Sequence, residues 1–265
     1  MAHRASFPEI GDRCRYRQPM EQPPAFEPLD ENWERALVLV AHPDDMEYGG
    51  ASAIAHFTSQ GKQVVYTLLT SGEAGIDSLA PEQCAPVREA EQRAACAAVG
   101  VELVEFLNFL DGTLEYGLPL RHAITAAIRR HRPEIIITTN FRETYGGVML
   151  NQADHIAGGR AALDAARDAG NRWVFRDLLA AGLEPWAGVR QVWAVGSPDA
   201  RHAVEVTDHF AAGLASLHEH RAYLAGLGPE APDPSEMLEG MARQAGTQLG
   251  VPMAVSMEVF HLTLL

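Results

Sequence analysis

The sequence predicts an α/β protein with a mainly parallel sheet. Strand-like and helix-like hydrophobic periods alternate between residues 36 and 169, which is typical of right-handed strand–helix–strand units. The run ALVLVA at 36–41 is apolar throughout, as expected for a strand that is buried on both faces. Gly61 and Gly100 follow two helix-like segments, where a residue just past a helix C-terminus often adopts a left-handed conformation.

The elements follow in order from these periods. Residues 36–169 contain four predicted strands, each followed by a predicted helix. The signal weakens beyond residue 170, where a helix is expected to begin with Asp208 as its cap. The predicted strands are 36–41, 63–70, 101–107, 134–139, 189–196 and 202–206. The predicted helices are 49–60, 85–99, 119–132, 153–169 and 208–227, and a proline-rich loop is predicted at 226–236.

The domain organisation is predicted to be simple. Residues 1–34 are polar and rich in proline, so we expect an extended N-terminal arm there. We expect a single domain over 35–265, with its sheet core in 35–170 and a more variable part in 171–265.

Charge and composition exclude several classes of function. Lys and Arg total 21 against 35 Asp and Glu, and the net charge of −14 would repel a nucleic-acid backbone. No apolar run approaches the ~18 residues that a membrane span needs, and no secretory signal is evident, so a cytoplasmic protein is expected. Three cysteines without paired spacing indicate neither a disulfide framework nor a zinc ribbon. A homo-oligomer is compatible with the sequence but not specified by it.

Chemically active residues follow the strands. His42, Asp44 and Asp45 in the motif HPDD come directly after the first strand. Asp111 follows the third strand, and Asp154 with His155 opens the helix after the fourth. Because the carboxyl ends of parallel strands share one edge of a sheet, these segments are expected to converge.

The spacing in HPDD suits a divalent cation. Two residues three apart in a turn, His42 and Asp45, can bind one ion while Pro43 restricts the backbone between them. Asp44 would then lie beside the ion as a base for the bound water. The alternative is a simple turn whose aspartate caps the next helix. For the second cluster, the alternative is an N-cap at Asp154 and an exposed His155.

The motifs VAHPDDMEYGG, LTSGEAG, REAEQRAACAAVGV, DGTL and DHIAGGRAALDA resemble the LmbE-like (PIG-L) deacetylase family over roughly residues 35–170. The resemblance implies a Rossmann-like three-layer fold with a divalent metal at the C-terminal ends of the strands. The metal is usually zinc, and another ion such as Fe²⁺ is an alternative. It also implies a small-molecule amide or sugar substrate, from which the N-acetyl group of an N-acetylglucosamine moiety is removed.

The resemblance implies roles for individual residues. It makes His42, Asp45 and His155 the metal ligands and Asp44 the general base. It places Arg88 and Asp111 where relatives hold sugar hydroxyls.

For these last two residues, the alternatives are structural. Arg88 could equally be a surface residue that pairs with Glu89 or Glu91. Asp111 could belong to an ordinary Asp-Gly turn.

One position departs from the family pattern. Relatives commonly have a histidine where this chain has Gln152, which can donate a hydrogen bond to an oxyanion but cannot deliver a proton at neutral pH. His220 and His218 are candidates for a replacement acid, with surface histidines as the alternative.

Three other functions are weighed against the deacetylase. An amidase that acts on a thiol or sugar conjugate would use the same metal site. A non-catalytic binding module with a decayed site would explain the loss of the histidine at Gln152. A dinucleotide oxidoreductase is excluded, because no GxGxxG follows the first strand.

Overall fold

The computed structural model describes residues 25–228, 231 and 233–262. The strands are β1 (Glu27–Pro28), β2 (Arg35–Val40), β3 (Gln63–Leu68), β4 (Leu103–Phe106), β5 (Ile135–Thr139), β6 (Thr144–Tyr145), β7 (Met149–Leu150), β8 (Gln191–Val195), β9 (His202–Glu205) and β10 (Ala254–His261). The helices are α1 (Ala51–Ser59), α2 (Pro81–Ala98), α3 (Leu118–His131), α4 (Ala153–Gly170), α5 (Arg176–Ala180), α6 (Phe210–His218), α7 (Arg221–Gly226) and α8 (Pro234–Leu249).

The eight-stranded central sheet has the order β1-β9-β10-β8-β5-β2-β3-β4. Its described pairings are parallel apart from those of β10, which runs antiparallel to both β8 and β9. The predicted α/β class with a mainly parallel sheet is therefore confirmed. β6 and β7 form a separate antiparallel hairpin.

The strand order reverses at β2. The chain runs from β2 outward through β3 to β4, and then returns to add β5 and β8 on the other side. The loops after β2 and β5 therefore leave the sheet in opposite directions and open a crevice between them, which is where open α/β sheets bind ligands.

The two faces of the sheet are covered by different helices, because successive strand residues point to opposite sides. Val38 and Val40 of β2 belong to the core that includes Ile54 and Phe57 of α1. Leu37 and Leu39 belong to the opposite core, with apolar residues of α3 and α4. This double burial explains the continuous apolar run of β2.

The N-terminal arm enters the fold earlier than predicted. Residues 1–24 lie outside the described part of the chain, but β1 pairs in parallel with β9. Trp33 is only 4% exposed, and its ring lies 5.0 Å from that of Phe57, centroid to centroid. The described end of the predicted arm is therefore part of the sheet and of the core.

The C-terminal part differs most from the prediction. The helix expected over 208–227 is interrupted at Glu219 and His220, giving α6 and α7, and Asp208 does not cap it. The proline-rich loop ends at Asp233, which caps α8 by accepting a hydrogen bond from the Ser235 N–H at 2.8 Å. Neither α8 nor β10 was predicted. Among the helices that the structure describes, none combines the length and hydropathy needed to span a bilayer.

Candidate metal centre and catalytic site

The side chains of His42, Asp45 and His155 meet above the carboxyl ends of β2 and β5. One ligand atom from each lies within 4.8 Å of the others. His155 Nε2 is 2.9 Å from Asp45 Oδ1, and His42 Nδ1 is 3.5 Å from the same oxygen. The predicted convergence of the two loops is thus present in the fold.

Hydrogen bonds on the outer side of each imidazole define its tautomer. Asn151 Oδ1 lies 2.9 Å from His155 Nδ1 and, as an acceptor, requires the ring proton to be there. His42 Nε2 lies 3.0 Å from Asp111 Oδ1 and 3.2 Å from Asp154 Oδ2, both of which are acceptors. His42 Nδ1 and His155 Nε2 are therefore left with lone pairs on the inner side.

Asp45 is fixed by the backbone. Its Oδ2 accepts the N–H groups of Ala41 and His42, each at 2.9 Å, which leaves Oδ1 directed at the two imidazoles. Burial raises the pKa of Asp45, but its close contacts with His155 and His42 outweigh burial and hold the pKa well below its usual range. An ionised oxygen and two nitrogen lone pairs thus converge, a donor set that fits a divalent cation such as zinc.

Asp111 and Asp154 hold the outer nitrogen of His42. Asp154 accepts the N–H groups of Leu114 at 3.0 Å and Gly112 at 2.8 Å, and Asp111 accepts that of Ala74 at 2.8 Å. Burial lowers the pKa of His42, but hydrogen bonds with Asp111, Asp154 and Asp45 raise it to about 12. The acidic surroundings of His42 therefore favour a positive charge at this position, which a cation bound at Nδ1 would supply while the ring itself stays neutral.

This placement bears on two predictions. The side chain of Asp111 is bound to His42 and to a backbone amide, which favours a role in orienting His42 over direct contact with a sugar. Asp154 lies inside the first turn of α4, and the N-cap position is taken by Gln152.

Asp44 lies next to this group in a constrained conformation. Its φ of 87° is left-handed, a region that aspartate adopts more readily than most residues. Its backbone N–H donates to Gln92 Oε1 at 3.0 Å, and its Oδ2 lies 3.0 Å from Arg88 Nη2. Burial raises the pKa of Asp44 to about 7, although the charge of Arg88 acts in the opposite direction.

Arg88 is buried, with 2% of its surface exposed. Its guanidinium donates to the carbonyl oxygens of Pro43 at 2.5 Å and Gly72 at 3.3 Å, and its central carbon lies 4.2 Å from the ring centre of Tyr223. The surface pairing with Glu89 or Glu91 is therefore excluded. The contacts favour a role in holding the HPDD turn over contact with a substrate.

A cavity of about 280 Å³ opens beside these residues. Asp44, Asp45, His155 and Gln152 line one part of it. The tyrosines that line it, which sequence reasoning did not single out, are Tyr48, Tyr145 and Tyr223. Tyr48 falls in the motif VAHPDDMEYGG, whereas no motif marked Tyr145 or Tyr223.

The two candidate acids lie elsewhere. His220 is completely buried at the N-terminus of α7, with Nε2 3.8 Å from Glu47 Oε2, and burial lowers its pKa to about 3. Its ring is therefore neutral at neutral pH. His218 is exposed and lies 3.2 Å from Ser235 Oγ. Neither histidine is among the described residues that line the cavity.

Comparison with known proteins agrees with this site. The PIG-L family model, described as GlcNAc-PI de-N-acetylase, matches residues 37–166. A 1D-myo-inositol 2-acetamido-2-deoxy-alpha-D-glucopyranoside deacetylase of Acidothermus cellulolyticus is 30% identical over 66% of this chain and 68% of that protein. The chain belongs to the PIG-L family.

Other PIG-L relatives extend the comparison. The diacetylchitobiose deacetylase of Thermococcus kodakarensis is 28% identical over 71% of this chain and 70% of that protein. The structure of N,N'-diacetylchitobiose deacetylase from Pyrococcus horikoshii superposes with a TM-score of 0.77 at 22% identity, covering 87% of this chain and 85% of that one. The structural superposition shows the fold. Both comparisons agree with the family predicted from the motifs.

The PIG-L match includes the metal-ligand group, Asp44 and Gln152, but it ends before the other elements that enclose the cavity. These later elements are β8, α6, α7, α8 and β10. One part of the cavity lining therefore comes from the segment that matches the family, and the rest comes from the C-terminal part of this chain.

Proposed function

We propose that this chain is a metal-dependent hydrolase that removes the N-acetyl group from an N-acetylglucosamine-containing small molecule or glycoconjugate. The observation that carries the proposal is the convergence of His42 Nδ1, Asp45 Oδ1 and His155 Nε2 beside the buried carboxyl of Asp44. The relatives compared above are deacetylases of N-acetylglucosamine compounds, which supports the reaction.

In this proposal the cation is zinc, with Fe²⁺ as the alternative, and His42, Asp45 and His155 hold it. When bound, the ion would polarise the amide carbonyl and acidify a water molecule. The outer partners of the ligands, Asp154 and Asn151, keep the ligating nitrogens free of protons.

Asp44 is the general base in the proposed reaction. It accepts a proton from the attacking water, a C–O bond forms at the carbonyl carbon, and the C–N bond then breaks. The products are acetate and an amine. Arg88 holds the Asp44 carboxylate, with Nη2 3.0 Å from Oδ2.

The leaving amine needs a proton, and neither Gln152 nor His220 is suited to supply it. Gln152 lacks an acidic proton. His220 is buried and is not among the described residues that line the cavity. We therefore assign the proton return to Asp44 and a hydrogen bond to the developing oxyanion to Gln152.

The test is amine release from a panel of N-acetylglucosamine compounds, measured with zinc-loaded protein and with protein treated with chelator. The panel contains free N-acetylglucosamine, diacetylchitobiose and an inositol glycoside of N-acetylglucosamine. Release that depends on the metal is expected for at least one of them. Zinc-loaded protein that binds the sugars without releasing amine would contradict the proposal and favour a binding module.

A further inference from the structure

The cavity beside the metal-ligand group has two chemically different ends. Its polar end contains the carboxylates, His155 and Gln152. Its other end is built from helices α6 and α8 and strand β10. The apolar residues of this second end, which we call the apolar end, are Phe210, Leu214, Leu238, Met241, Ala242, Ala245, Ala254 and Val255.

The apolar end is a formed part of the fold rather than a surface groove. Leu238, Ala242 and Ala245 recur along one face of α8 and are each 6–7% exposed. Ala254 and Val255 close the wall from β10 and are 1% and 6% exposed. Met241, which is 45% exposed, lies at the mouth.

A sugar ring does not suit this wall. Each buried hydroxyl needs a hydrogen-bond partner. The side chains of the apolar end offer none, and the two serines that also line the cavity, Ser52 and Ser256, are too few for a ring with several hydroxyls. A saturated or aromatic hydrocarbon group, in contrast, gains free energy on leaving water for such a wall. The cavity of about 280 Å³ lies near the lower limit of typical ligand sites, so one short group fits it.

We propose that the apolar end binds a short alkyl or aryl group that the substrate carries near its scissile amide. This inference rests on the proposed hydrolase function. The group could be carried as an acyl chain longer than acetyl or as an aglycone on the sugar. The chemistry of the wall is the same for both, and the experiment separates them.

The chain offers a matched pair of methionines for the test. Met241 and Met237 lie one turn apart on α8 and are 45% and 44% exposed, but of the two only Met241 lines the cavity. Met241→Glu places a charge at the mouth of the apolar end, whereas Met237→Glu makes the same exchange outside it. Both sites are exposed, so folding tolerates either change.

The experiment measures kcat/KM for amine release from two series of substrates. One series consists of methyl, butyl and hexyl glycosides of N-acetylglucosamine, and the other of glucosamine N-acylated with acetyl, butanoyl and hexanoyl groups. In the series whose group occupies the apolar end, kcat/KM is expected to rise by about fourfold per methylene until the cavity is full. Met241→Glu should flatten this rise, and Met237→Glu should preserve it.

The outcomes separate the two proposals. Cleavage of the short members without any rise in either series would overturn the apolar site and leave the hydrolase intact. If zinc-loaded protein cleaves no member, the hydrolase proposal fails. The inference about the apolar end is then tested by calorimetry, which measures the binding of methyl, butyl and hexyl glucosides. These glucosides contain no amide. Affinity that rises with chain length in Met237→Glu but not in Met241→Glu supports it, and equal affinities in the wild-type protein overturn it.

Discussion

Asp154 Oδ2 lies 3.2 Å from His42 Nε2, so a carboxylate that begins α4 fixes the imidazole that follows β2. The same carboxylate also accepts the backbone N–H groups of Gly112 and Leu114. One side chain therefore connects the loops after three strands.

Asp154→Asn is expected to lower metal affinity by about 10- to 100-fold. The amide would place a donor against groups that are themselves donors, and His42 would keep only Asp111 of the two carboxylates that fix its tautomer. Metal affinity is measured by competition with a fluorescent chelator. Asp164→Asn, in the same helix but bound to Arg160 and Tyr116, should leave the affinity unchanged. Equal affinities in the two variants would refute the orienting role of Asp154.

Asp44→Asn should retain the metal and lower kcat by about 10²- to 10⁴-fold, the usual contribution of a general base. Asparagine also tolerates the left-handed backbone at this position, so the fold should persist. Metal content by mass spectrometry and kcat are measured together. The control is Asp77→Asn, at an exposed position. Near-parental kcat in Asp44→Asn would mean that another group accepts the proton.

Arg88→Met should destabilise the protein by about 3–5 kcal/mol, because it leaves the carboxylate of Asp44 buried without its partner. The effect is read from urea unfolding at pH 8. Arg93→Met is the matched control in the same helix. Its side chain is 52% exposed, pairs with Glu89 and lies 4.9 Å from the ring centre of Phe106, so a loss of only about 1 kcal/mol is expected. Similar losses in both variants would show that Arg88 does not support the HPDD turn.

Metal removal should lower the unfolding temperature as well as the activity, because a ligand that binds only the folded state stabilises it. At a free metal concentration one hundred times the dissociation constant, this stabilisation is about 2.7 kcal/mol. Thermal unfolding is followed with chelator and with graded zinc. His155→Ala should abolish the zinc dependence, whereas His122→Ala, whose partner is Asp177, should keep it. A zinc-independent unfolding temperature in the wild-type protein would refute the metal centre.

The sheet core was predictable because its signals are local. The run 36–41 is apolar on both faces since β2 lies in the middle of the sheet, between β3 and β5. The meeting of His42 with His155 followed from topology, because β2 and β5 are the strands between which the order reverses. The spacing in HPDD indicated His42 and Asp45 as ligands, and the family resemblance added His155.

The walls of the cavity could not be predicted in this way. Helix α8 buries small residues such as Ala242 and Ala245, whose hydrophobic signal is weak, and it follows a segment rich in proline. The break between α6 and α7 has no glycine or proline to mark it. The burial of Arg88 was equally hidden, because arginine in a helix is usually exposed and only the fold supplies its carbonyl partners.

Strand β10 has a consequence for how the protein is made. It lies between β8 and β9, so neither strand can pair with it until the ribosome has synthesised Ala254–His261. Until then, β8 presents an open edge to which strands of other nascent chains can add. We therefore expect polypeptides that stop before Ala254 to aggregate during synthesis even though they carry the whole HPDD region.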